Sequence, residues 1–275
     1  CTVHRFVQPN ENAVASLCAL VDAVGAEYTK PQRQPLQRPS LPSGNLNAAK
    51  ICQAVGALMP DYSIISDEAQ TSGLMLPRHT VGAPKHDLLT LTGGAIGQGL
   101  PVAIGASIAS SISSSGVAEK EKSRPVIALV GDGSSMYTIQ SLWTMVNENL
   151  DITVIILNNR SYAILNIELQ RVGAERANKN GADAKAKSQL DLSKTAIDFV
   201  ALAKGMGMPA QRATTAEEFN NALQKALSEP GPHLIDAIVP SEYQGLKLKA
   251  LPHLLNAIGY IPVPLAKAIK SKLAP

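Results

Sequence analysis

Two runs of residues narrow the folds open to this chain more than anything else in it. Residues 125–130 read PVIALV and residues 152–157 read ITVIIL, apolar throughout except for Thr153. A strand with one face in water would alternate apolar and polar residues. Unbroken apolar runs this short, bounded by turn residues, belong to strands buried on both faces, as in a parallel sheet covered by helices. The first run stops in Gly131-Asp132-Gly133-Ser134 and the second in Asn158-Asn159-Arg160-Ser161. Aromatics make up 4% of the chain against 45% hydrophobic residues, so Val, Ile, Leu and Ala must supply the core.

Helix and strand patterns alternate around these runs. NLNAAKICQAVGALMP reads as a helix ended by Pro60, YSIISDE as a short buried strand, and LLTLTGG as a strand running into glycines. PVAIGASIASSI reads as a helix with Pro101 in its first turn. Between the two apolar strands a helix is expected from about Ser135 to Asn149, with Met136, Ile139, Trp143 and Val146 on one face and Trp143 in the core. The helices TAIDFVALAKGMG and AEEFNNALQKALSE and the strand HLIDAIV follow. The alternation predicts an α/β fold, a doubly wound parallel sheet with helices on both faces.

Four segments are expected. Residues 1–28 carry a helix over 11–25 whose apolar stripe is Val14, Leu17, Cys18, Val21 and Val24, with Gly25 as its stop. A lone helix of this length is marginal, so it is expected to pack on another domain, of which it would be the tail. Residues 29–43 hold Pro31, Pro35, Pro39 and Pro42 among Gln and Arg and read as a linker. Residues 44–240 form the α/β domain. Residues 241–275, with Lys247, Lys249, Lys267, Lys270 and Lys272, read as a packing arm. Residues 171–189 are charged and rich in Ala and Gly, and are expected to act as a mobile lid.

A net charge of +3, spread along the chain, gives no ground for a nucleic-acid or membrane partner. No apolar run reaches about 18 residues, the length needed to span a bilayer. Three cysteines without a C-x-x-C spacing suit a reducing compartment, and cytoplasmic localisation is expected.

Ligands of doubly wound sheets bind outside the carboxyl ends of the strands. If the two apolar strands are neighbours, Asp132 and Asn159 face one another there. A carboxylate, an amide oxygen and a backbone carbonyl would suit Mg²⁺, a hard ion that also takes phosphate and water oxygens. Gly131 and Gly133 let the backbone approach a phosphate closely. Taken singly, Gly-Asp-Gly is an ordinary turn and Asn-Asn an ordinary loop start. The pair, each after an apolar strand and joined by one helix, is far more specific. Gly94, Gly97 and Gly99 are spaced in the reverse of the dinucleotide fingerprint, and no P-loop motif exists.

The segment GDGSSMYTIQSLWTMVNENLDITVIILNNRSY resembles the metal–diphosphate motif of thiamine-diphosphate enzymes, the family of benzoylformate decarboxylases and acetolactate synthases. The 27 positions between Asp132 and Asn159 suit it. The resemblance implies thiamine diphosphate and Mg²⁺ as cofactors. Asp132 and Asn159 would bind the metal by side chain and Ser161 by its carbonyl, and Gly133 and Ser134 would contact the diphosphate. LTLTGGAIGQGLPVAIGAS resembles the segment around the aminopyrimidine ring. There Gly94 and the backbone of Ile96 would bond the ring, and the Ile96 side chain would prop the cofactor in its bent form. Residues 68–72, with Gln70 and Thr71, resemble a loop lying against the diphosphate. Tyr162 and Leu165 would line the substrate side. Ile96 and Leu165 also suit ordinary packing roles, and His79 and His86 suit capping or surface roles.

The resemblance covers residues 1 to about 240. It implies a 2-oxo acid decarboxylase or carboligase, with NNRSYAIL closer to benzoylformate-decarboxylase-like sequences. The alternatives are an acetolactate synthase-like transferase and a cofactor-binding chain inactive alone. In the family an activating glutamate sits on a pyrimidine-binding domain supplied by a partner subunit, and no glutamate here matches it by motif. A pyrimidine-binding domain of the same or a partner subunit, a homo-oligomer and a small 2-oxo acid substrate are the implied partners. Arg160 stands where a glycine is common.

Overall fold

The structure, a computed structural model, describes residues 5–25, 34–114, 124–171 and 188–240. It divides into two compact units, Cys1–Pro35 and Leu36–Pro275. In the first, α1 (Ala13–Ala23) is started by Asn12, whose side chain accepts from the backbone N–H groups of Val14 and Ala15. None of its residues is buried, and Val14, Leu17 and Val21 are all exposed.

The second unit carries a six-stranded sheet of β1 (Ser63–Glu68), β2 (His86–Thr90), β3 (Val126–Gly131), β4 (Ile152–Asn158), β5 (Ala210–Ala213) and β6 (His233–Ile238). The strand order is β2-β1-β3-β4-β6-β5 and every pairing is parallel. The two apolar runs are neighbours, with Val126 opposite Ile152 and Gly131 opposite Leu157.

Alternate residues of the central strands feed two separate cores, which is why the runs are apolar at every position but Thr153. On one face Ile127, Leu129, Ile155 and Leu157 pack with α2 (Ala48–Leu58) and α9 (Ala216–Ser228). On the other, Val126, Ala128, Val130, Val154 and Ile156 pack with α4 (Gly99–Ser114), α6 (Ser141–Asn147) and α8 (Phe199–Gly205). The sheet is doubly wound, as the alternation predicts. The proline-rich stretch from Leu36 is bound to this body. Gln37 N donates to Gly82 O, Arg38 to the carbonyls of Ala57 and Met59, and Asn220 to Pro42 O.

Three local expectations are corrected. The single helix from Ser135 to Asn149 is two pieces, α5 (Asp132–Ser135) and α6, joined by turns. The break resets the helical phase, so Leu142 and Met145 are buried while Trp143 is 58% exposed rather than in the core. The strand placed on LLTLTGG runs over His86–Thr90 and ends before the glycines, where Gly93 and Gly94 take positive φ. The helix read as TAIDFVALAKGMG begins only at Phe199, because Asp198 caps it through Ala201 N. Three elements had no sequence expectation: β5, α3 (Leu76–Thr80) and α7 (Ala163–Arg171). Most of the segment expected to act as a lid, and the packing arm from 241, lie outside the described residues.

α9 starts in a reciprocal cap. The Thr215 hydroxyl accepts from Glu218 N at 3.2 Å and Glu218 accepts from Thr215 N at 3.1 Å. We expect Thr215→Ala to cost about 1 kcal/mol in urea unfolding.

Candidate active site

The sheet order reverses between β1 and β3, and the carboxyl ends of the strands at such a switch point are where doubly wound sheets bind ligands. β4 lies on the far side of β3. Asp132 follows β3 and is 3% exposed. One of its carboxylate oxygens accepts from Gly133 N at 2.9 Å, the other from Arg160 N at 2.5 Å. The second bond crosses from the end of β4 and brings the two loaded strand ends together. Burial pushes the Asp132 carboxyl up to about 6, and backbone donors, Gly133 and Arg160 foremost, pull against that rise. Among the described residues no ion pair includes Asp132.

Asn159 is 9% exposed, and its side-chain oxygen accepts from Ser161 N at 2.9 Å. Ser161 O accepts from Ala163 N, and its hydroxyl accepts from Asn166 at 2.9 Å. A chain segment from further along clips this loop in place: Tyr162 N donates to Leu190 O and Leu192 N to Arg160 O, both at 2.9 Å. Gly133 lies under the ring of Tyr162, where a Cβ would stand 2.4 Å from Cε1. Ser134 is buried and Gly131 partly so. The donor set fits a hard cation that completes its shell from a ligand. It has one carboxylate, one amide oxygen and nearby carbonyls, and among the described residues no group of three or more His, Cys, Asp or Glu could hold a metal alone.

The remaining predicted residues fall around this centre. Gln70, with φ of +52°, and Thr71 form a short 3-10 turn, Gln70–Ser72, just beyond β1. α7, which carries the 45%-exposed Leu165, lies against that turn. Ile96 is half-buried in the loop between β2 and α4, and Gly94 in the same loop is exposed. His86 Nδ1 donates locally to Pro84 O at 2.7 Å, and His79 lies in α3.

Residues 71–237 match the family described as thiamine pyrophosphate enzyme, C-terminal TPP binding domain. The chain belongs to this family. A Mycobacterium tuberculosis protein that carries the provisional name acetolactate synthase large subunit IlvX is 49% identical over 243 residues, 88% of this chain and 44% of that protein. Benzoylformate decarboxylase of Pseudomonas aeruginosa is 29% identical over 242 residues, 85% of this chain and 41% of that one. Among solved structures, the thiamine diphosphate-dependent 4-hydroxybenzoylformate decarboxylase of Rhodococcus jostii RHA1 superposes with a TM-score of 0.62 at 26% identity, covering 84% of this chain and 40% of its own. The chain thus spans less than half the length of these relatives.

Several residues that shape this thiamine-pyrophosphate domain escaped the sequence reading. Asn158 donates to the wholly buried Asp236 of β6 at 2.9 Å, and Arg212 donates to the other oxygen of Asp236 at 2.9 Å. The first residue of the Asn pair is therefore structural, and the signal for it was an acid inside the apolar strand HLIDAIV. Arg160 takes φ of +56°, which gives a physical reason for glycine at its position. Its side chain is exposed, while only its backbone N–H reaches Asp132. Left-handed backbone costs a side-chain-bearing residue about 1–2 kcal/mol, partly offset by the greater unfolded-state freedom of glycine. Arg160→Gly should raise the unfolding free energy by about 0.5 kcal/mol in urea titration and leave cofactor affinity unchanged.

Proposed function

We propose that this chain supplies the Mg²⁺ and diphosphate site of a thiamine-diphosphate-dependent enzyme that decarboxylates a 2-oxo acid, as a benzoylformate-decarboxylase-like lyase or carboligase. The observation that carries the reading is Asp132: a buried carboxylate with no cationic partner among the described residues, tied to the end of the neighbouring strand beside Asn159. Asp132, Asn159 and the Ser161 carbonyl would hold Mg²⁺. Gly131, Gly133, Ser134, Gln70 and Thr71 would receive the diphosphate, and Gly94 and Ile96 the pyrimidine. The thiazolium ring, when bound, supplies the electron sink for loss of CO₂. Tyr162, whose ring covers Gly133, would screen the diphosphate from water, and with Leu165 would face the substrate.

The activating glutamate is proposed to come from a pyrimidine-binding domain of the same or a partner subunit. On α4, Pro101, Gly105 and Ile108 are exposed and would meet a partner in a homo-oligomer. Among the described residues no helix is long and apolar enough to cross a membrane, and a cytoplasmic setting is proposed. The second reading, an acetolactate synthase-like transferase, is favoured by the 49% identity to the mycobacterial protein.

The test is to assay the full chain with and without a pyrimidine-domain protein, on pyruvate and benzoylformate in turn. Benzaldehyde from benzoylformate supports the lyase, and acetolactate from pyruvate the transferase. Cofactor binding without turnover in any combination would contradict both.

A further inference from the structure

We propose that Glu68 is a positioning residue: it fixes the peptide between Ile96 and Gly97, and through it the loop that receives the pyrimidine ring. The proposal rests on the reading of the site given above. Glu68 is the last residue of β1, pairs in register with Val130 and is 1% exposed. Its sequence neighbours pointed it toward the diphosphate, but both of its oxygens serve the other half of the site. One accepts from Gly97 N and the other from Gly99 N, the latter at 2.7 Å. Among the described residues no ion pair includes it.

A carboxylate buried without a cation is costly to keep, so it calls for a reason. Capping α4 alone is not a sufficient one. An Asn, Ser or Asp immediately before the helix would do that locally. Here the acid comes from a strand 31 residues away and spends one of its two bonds outside the helix, on Gly97.

The loop is built around that contact. A Cβ at Gly99 would stand 2.7 Å from the Glu68 oxygen and 2.8 Å from its Cβ. Gly97 takes φ of +98°, and a Cβ there would stand 2.6 Å from that of Tyr137. Gly97 is held at both ends, because its carbonyl accepts from the Thr138 hydroxyl at 2.7 Å. Thr138 lies just beyond α5, so the loop is tied both to β1 and to the chain leaving the Asp132 centre. A peptide is planar, with its N–H and C=O pointing opposite ways. Anchoring Gly97 N–H on Glu68 therefore sets the direction of the Ile96 carbonyl and one backbone dihedral of Ile96. That fixes the residue proposed to prop the cofactor.

The test compares two ligands of the full chain by calorimetry in Mg²⁺: thiamine diphosphate, which uses both halves of the site, and inorganic pyrophosphate, which uses only the metal half. In Glu68→Gln one oxygen becomes an NH₂ that cannot accept from an amide. The expected result is at least about a tenfold weaker Kd for thiamine diphosphate, one charge-assisted bond's worth, with pyrophosphate within about twofold. One of the two amides, Gly97 or Gly99, should also lose its hydrogen-exchange protection, since the glutamine keeps a single acceptor oxygen.

Equal weakening of both ligands, or no change in either, would overturn the proposal. Should Glu68→Gln not fold, Glu68→Asp decides, since it keeps the charge but draws the carboxylate back by one methylene from the Gly97 and Gly99 amides. A loss confined to thiamine diphosphate supports the proposal, and unchanged binding overturns it. A wild-type chain that binds neither ligand would instead overturn the reading of the metal site, and would do so before any variant is made.

Discussion

Asp132→Ala is expected to weaken Mg²⁺-dependent binding of thiamine diphosphate by at least about a hundredfold. Loss of a partner one shell further out already costs metal sites roughly 10–100-fold, and Asp132 is the proposed ligand itself. It is also the only carboxylate in the proposed metal set, so its removal leaves the charge of a bound diphosphate less well neutralised. The chain should keep its fold. Among the described residues no ion pair includes Asp132, so its deletion breaks none there, and the desolvation cost it relieves offsets the loss of its bonds from Gly133 N and Arg160 N. Calorimetry and thermal unfolding on the same sample separate the two effects: affinity falls while the metal-free melting temperature does not. Wild-type affinity in the variant would remove Asp132 from the site.

Asp236→Ala is expected to act in the opposite way, through stability. The carboxylate is fully buried and joins Asn158 to Arg212, which in turn reaches Asp198 at 2.9 Å. Its loss strands the buried Asn158 amide, at about 1–3 kcal/mol. Breaking a buried pair costs roughly 3–5 kcal/mol. The Arg212 side chain is 45% exposed and can turn to water, which reduces that figure. A net loss of about 3 kcal/mol in urea unfolding follows, with the loop after Asn158 loosened as well. Asp236→Asn, which can still accept from Asn158, should lose about half as much. A loss under about 1 kcal/mol for the alanine variant would mean that the Asn pair is held by the sheet alone.

The readable part of this molecule was the part in which one residue type implies one environment. The runs at 125–130 and 152–157, apolar but for Thr153, require burial on both faces, and the sheet supplies it. Turn chemistry at the ends of those runs marked Asp132 and Asn159, and parallel pairing of β3 with β4 brought their loops together. What failed to show was phase and long-range pairing. Trp143 was misplaced because nothing in SSMYTIQSLW marks where the helical period restarts, and a five-residue turn changes which side faces the sheet. Short β5, with Gln211 and Arg212 exposed at the sheet edge, has too few apolar residues to signal a strand. Glu68 looked like part of a diphosphate loop because sequence gives its neighbours, and its partners lie 29 and 31 residues away. Asn158 and Asp236 are 78 residues apart, and only the β4–β6 pairing brings them together.

The central claim is that this chain itself binds the diphosphate of the cofactor through a metal ion. Calorimetric titration of the full chain with thiamine diphosphate, first in Mg²⁺ and then in excess chelator, tests it directly. Binding that is present with Mg²⁺, abolished by the chelator and competed by pyrophosphate is the predicted result. Affinity that is the same in chelator as in Mg²⁺ would contradict it.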